Sequence, residues 1–163
     1  MKSKLRFPLV AIQTRLAAGL LLAVFVATAA ADEPATESAK AIADLQGTWS
    51  LDSLVKGGAE EDVALQLIIN KQGVTAMLGE TKIQLKMVLD PTCTPKVIDL
   101  TYISPEDGQP QAGTTLEGIY ERSENKLRLC VATPEAVVRA RPQEFASPPD
   151  SEILLLTFTR VGR

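Results

Sequence analysis

Histidine is absent from the 163-residue chain. With it go the usual general base near neutral pH, the Ser–His and Cys–His nucleophile pairs and the commonest zinc ligand. Cysteine is nearly absent as well: Cys93 and Cys130 are the only two, too few for a structural zinc site. Aromatic residues make up 4% of the chain, and Trp49 is its only tryptophan. Bases and nucleophiles are thus missing or unpaired, so neither catalysis nor a metal or other cofactor is expected.

Charge of one sign is scarce once the N-terminus is set aside. Residues 1–15 carry Lys2, Lys4, Arg6 and Arg15 and no acid; Leu16 to Ala31, "LAAGLLLAVFVATAAA", is uncharged and ends in small residues. A basic segment, an apolar run and an A-x-A-like end are the parts of a secretory signal peptide. The alternative is a membrane anchor, but the run is shorter than the roughly 20 residues a spanning helix needs. We therefore expect residues 1–31 to be a signal peptide, cleaved near Ala29 or Ala31, and the product to be exported, periplasmic or extracellular. No cysteine near the cut offers an acceptor for a lipid anchor. Cleavage turns 17 basic against 20 acidic residues into 13 against 20, about −7. Such a product repels nucleic-acid phosphates and anionic membranes, so no nucleic-acid partner and no stable membrane insertion after signal removal are expected. A protein partner is not legible in the sequence.

Residues 32–44 read as a polar lead-in, "DEPATE", followed by a short helix N-capped by Ser38, with Ile42 and Leu45 on one face. Beyond Gly47 the apolar period becomes two. In "KIQLKMVLD", Ile83, Leu85, Met87 and Leu89 alternate with Lys82, Gln84, Lys86 and Val88; in "KLRLCVA", Leu127, Leu129 and Val131 alternate with Lys126, Arg128 and Cys130. Eight half-buried strands are expected: Thr48–Leu54, Leu65–Asn70, Val74–Leu78, Lys82–Leu89, Lys96–Ile103, Thr114–Arg122, Lys126–Thr133 and Ile153–Arg160. "KGG", "NKQG", "GE" and "SEN" supply tight turns between them, and Arg141–Glu152 forms a proline-rich crossing segment. Short antiparallel strands with tight turns fit a closed up-and-down barrel or a sandwich equally well.

The stretch "LQGTW" (Leu45 to Trp49) separates the two. A Gly-x-Trp opening the first strand behind a short helix resembles the first signature of lipocalins, in which the indole closes the barrel floor and an arginine of the last strand lies across it. The last strand here ends "TFTR", so the resemblance implies a floor pair of Trp49 and Arg160. The physics agrees: tryptophan fills most volume, a guanidinium stacks on its face, and glycine would allow the helix to approach closely. More of the chain is similar to a narrower group. "LQGTW", "DPTCTPKVIDLTY", "EGIYERSENKLRLCVA", "RPQEF" and the terminal Thr159-Arg160 together resemble the uncharacterised lipocalin-like domain family expanded in planctomycete bacteria. That resemblance covers roughly Leu45 to the C-terminus and implies a barrel and export, with no activity. The Thr-Asp-Tyr signature of true lipocalins is absent, so ligand transport does not carry over residue by residue.

The expected architecture is mostly β: an eight-stranded antiparallel up-and-down lipocalin-like barrel over residues 45–163 with a short N-terminal helix. The leading function is a binding module holding a small, largely apolar ligand, with Leu85, Met87, Leu127 and Leu129 as interior candidates. The alternative is a structural or protein-interaction module with a filled interior, since eight strands enclose only enough space for side chains or one small ligand. Cys130 is expected to be inert, either exposed or covered by the Arg141–Glu152 segment. In a meander, Cys93 and Cys130 lie about 10 Å apart sideways, beyond the roughly 7 Å between bridged Cα atoms, so two free thiols are expected. Glu60, Glu61 and Asp62 read as a solvated loop, lacking the spacing of a calcium loop. Asp99 reads as outward and hydrogen-bonded. Phe145, in "RPQEF", reads as an apolar plug pinning the crossing segment or as part of a mouth.

Overall fold

The computed structural model describes residues 33–104, 110–136 and 140–162. The expected signal peptide, residues 1–31, lies outside them. Among the described residues one helix, α1 (Glu33–Leu45), precedes nine strands: β1 (Gly47–Lys56), β2 (Ala59–Glu61), β3 (Leu65–Asn70), β4 (Gly73–Leu78), β5 (Thr81–Asp90), β6 (Lys96–Ser104), β7 (Thr115–Ser123), β8 (Lys126–Ala132) and β9 (Ile153–Val161).

Every pairing is antiparallel. Neighbours follow chain order from β3 to β9, and β1 pairs both β3 and β9, which closes an eight-stranded barrel. Closure in this order sets Trp49 opposite Arg160 across the β1–β9 seam. The eight expected strands agree with β1 and β3 to β9 to within two residues at their ends. At the tight turns Lys71, Gly79 and Glu124 all take positive φ, a conformation that only the glycine adopts without a Cβ penalty.

Two expectations are corrected. The helix starts at Glu33, not after Ser38, so most of the "DEPATE" lead-in is helical. Pro34 falls in the first turn, where its missing N–H has no partner to lose. Ser38 is therefore no cap; its hydroxyl donates to the Leu89 carbonyl at 3.3 Å and ties the helix to β5. The second correction concerns the acid run, of which Glu60 and Glu61 lie in β2 rather than in a loop. Gly57 and Gly58, with φ of 56° and 80°, make a turn of positive φ at both central residues. That geometry matches the twist of paired strands and forces the flanks together whatever their side chains. β2 pairs Leu54–Lys56, the upper half of β1, while β3 pairs Gly47–Ser50, the lower half.

The barrel has two unlike halves. In the lower half, under α1, Trp49, Met87, Leu127 and Phe158 are shielded from solvent and fill the interior. Leu45 from α1 joins this cluster, with Ala41 and Ile42 packed on it. The upper half is open. Outside, residues 140–152 cross the wall of β7 and β8. The Ser147 hydroxyl donates to the Ile153 carbonyl at 2.7 Å, and Arg141 Nη1 donates to the Gly118 carbonyl at 2.7 Å. This strap buries the outward-facing Ile119, Cys130 and Ala132, which a two-face alternation would leave exposed.

Candidate functional site

A cavity of about 400 Å3 occupies the upper half and opens at the end away from α1. Its wall is made by inward positions of successive strands: Leu54 of β1, Leu65 of β3, Ala76 of β4, Leu85 of β5, Leu129 of β8 and Leu156 of β9. Phe158 separates it from the packed lower half. Polar groups gather at the rim: Lys56, Glu61, Tyr102, Thr133 and Glu135. Lys56 Nζ lies 3.8 Å from Glu152 Oε2, which partly neutralises the rim cation. Burial, and then the Glu135 charge, push the Tyr102 phenol above its ordinary value, so it stays a neutral donor.

Of the four interior candidates, Leu85 and Leu129 line this cavity. Met87 and Leu127 are buried in the packed half and do not line it. Alternation identifies the face of a strand and not the height along the barrel axis, so the four could not be separated by pattern. Sequence reasoning missed Leu54, Ala76, Leu156 and the rim acids. Period two was available for the first three, whereas Glu135 lies in a turn that pattern does not orient.

At the floor, the Arg160 guanidinium carbon sits 4.4 Å from the Trp49 ring centroid. Arg160 Nη2 donates to the Asp44 carbonyl at 2.6 Å, Trp49 Nε1 to Leu45 at 2.9 Å, and Arg160 Nη1 to Gln46 at 2.9 Å. Three consecutive carbonyls at the end of α1 are thus capped by two side chains of the β1–β9 seam, at the helix end that favours a cation. Gly47 has φ of 120°, and a Cβ there would meet Arg160 Nη1 at an ordinary 3.7 Å. Glycine serves the backbone turn from helix into strand, not the close approach expected from its small size.

Asp99 points outward, and its Oδ1 lies 2.8 Å from Arg141 Nη1 in an ion pair. Phe145 does not join the mouth; it sits with the crossing segment on the outer wall, where Arg128 of β8 stacks on it, 4.7 Å from the ring centroid. Cys130 lies under the strap, its Sγ 3.4 Å from the Ala146 carbonyl, and burial raises its thiol pKa. Cys93 is exposed, and its hydrogen bond to the Asp90 carboxylate raises its pKa too. Both thiols are free, and neither has the depressed pKa of a nucleophile. Among the described residues no group of acids and cysteines is arranged to hold a metal, and no helix is long and apolar enough to cross a membrane.

The fold and the cavity define the class: a small closed β-barrel, filled at one end and hollow at the other. Compared with known proteins, the chain matches no family model, no curated sequence and no solved structure.

Proposed function

We propose that the chain is an exported binding module that holds one small, largely apolar molecule in the upper half of its barrel. One observation carries this reading: a cavity of about 400 Å3 walled by aliphatic side chains and rimmed by a few polar groups. Such a mix of apolar wall and sparse polar rim is what small-molecule sites use for affinity and orientation. The rim also bears on the head group. Glu61 and Glu135 outnumber Lys56, which already faces Glu152, so a carboxylate head is disfavoured against a neutral or cationic one. Export rests on the composition of residues 1–31 alone.

The test is displacement of an apolar fluorescent probe by a series of equal-length alkyl alcohols, amines and carboxylates. One-to-one binding, with the carboxylate weakest, is the expected result. Native mass spectrometry of protein from its own host would reveal a retained ligand directly. If no probe binds and no mass is retained, the binding role is wrong, and the structural or protein-interaction alternative takes its place.

A further inference from the structure

A second recess of about 400 Å3 lies at the opposite end, between α1 and the barrel floor. Alternation makes its chemistry unusual. On β6 the inward positions run Lys96, Ile98, Leu100, and on β7 they run Gly118, Tyr120, Arg122. Two cations and a phenol thus occupy inward positions at a barrel end, where the same faces further up are apolar. Lys96 and Tyr120 are direct partners across the β6–β7 ladder, and Arg122 follows Tyr120 on the same face. From the helix side, Lys40 joins them, along with Glu37 and Asp44.

Two buried donors in this recess lack a hydrogen-bond acceptor: the Tyr120 hydroxyl and Arg122 Nε. Tyr120 is only 3% exposed, so its hydroxyl has lost most of its access to bulk water. Leaving a buried donor unpaired is costly, and such atoms are rare in folded proteins. Among the described residues none of the three cations forms an ion pair. The phenol is pushed up to about 12 by burial, and then by Asp90 and Asp44, so it remains a donor throughout the physiological range.

We propose that this recess binds a small oxyanion, a carboxylate or phosphate group, that accepts from Tyr120 and Arg122 and is flanked by Lys40 and Lys96. A planar guanidinium suits either oxyanion, and a charge-assisted bond is the strong kind. The two helix acids leave a net charge of about one positive across the recess, which favours a singly charged group over a multiply charged one. The site is separate from the apolar cavity, shares no lining residue with it, and does not depend on its being occupied.

The experiment is amide NMR of the full chain, titrated separately with sodium propionate and sodium phosphate at constant ionic strength, with chloride as control. Saturable shifts clustered at Lys40, Lys96, Tyr120 and Arg122 are expected with at least one anion, and which one saturates identifies the group. Arg122→Gln should weaken binding about tenfold to a hundredfold, the size of one charge-assisted hydrogen bond. Tyr120→Phe removes only an atom that has no partner, so it should fold normally and still weaken binding. It carries the test if the arginine variant does not fold. Shifts that grow linearly and match chloride mean charge screening over a hydrated recess and overturn the proposal. So does saturable binding that neither substitution changes.

Discussion

Trp49 and Arg160 illustrate how two side chains more than a hundred residues apart come to cap one helix. The indole fills the floor, its N–H takes one helix carbonyl, and the guanidinium takes two more while lying over the ring. Trp49→Ala should cost about 3–5 kcal/mol, because it opens a cavity in a fully buried cluster. Arg160→Lys should recover only part of what Arg160→Ala loses, since one ammonium cannot stack and reach two carbonyls at once. Urea denaturation of the three variants checks both statements; equal midpoints for the lysine variant and the parent would refute the second. A third residue-scale expectation is acid sensitivity. Hydrogen bonds from Lys126 and Thr159 hold the Asp52 carboxyl below its ordinary value of 3.8. The stabilisation is therefore present above 3.8 and is lost as pH falls through the lower folded value. The advantage of the parent over Asp52→Asn should be small near neutrality, given the exposure of the pair, and should vanish in strong acid.

At the scale of elements, strands were legible from period two and turns from glycine and asparagine, because both signals act over a few residues. The added strand β2 was not legible: Ala59–Glu61 is exposed along its length and carries no alternation. The strap was legible as proline-rich but not as a cover, since nothing local says which wall it crosses. Its attachment is specific. Arg141 reaches the Gly118 and Ile98 carbonyls and faces Asp99, which joins the strap to β6 and β7. Arg141→Ala should loosen the strap and raise the rate at which a thiol reagent labels Cys130, while Cys93, already exposed and losing the Arg141 charge that favours its thiolate, gains no rate. An unchanged Cys130 rate would mean that the strap is held elsewhere. Beside it, Gly118 admits no side chain: a Cβ there would lie 2.5 Å from Val131 Cγ1 and 2.6 Å from the Cys130 carbonyl oxygen.

The whole molecule divides its interior between stability and vacancy. The lower half is packed around Trp49 and Phe158, and the upper half keeps about 400 Å3 free of side chains. Filling the vacancy should trade one for the other. Ala76→Phe, on the cavity wall, should raise stability by about 0.5–2 kcal/mol and abolish binding of an apolar probe. A ligand at a hundred times its dissociation constant should stabilise the parent by about 2.7 kcal/mol and this variant not at all. Thermal unfolding with and without the probe measures both. A variant that still binds would place the ligand elsewhere.

What the sequence alone determined is the class of structure. Period two and turn residues suffice for an antiparallel β fold. The order of the strands made the meeting of Trp49 and Arg160 a consequence of closure. Height along the barrel axis was decided only by the tertiary structure. Leu85 and Met87 share one face of one strand, yet one lines a cavity and the other is packed solid, because which level is plugged depends on helix and floor residues far away in the chain. The recess of Tyr120, Arg122, Lys96 and Lys40 likewise exists only because α1 folds back over the barrel end. Local pattern reports which way a side chain points; only the assembled barrel determines what it meets there.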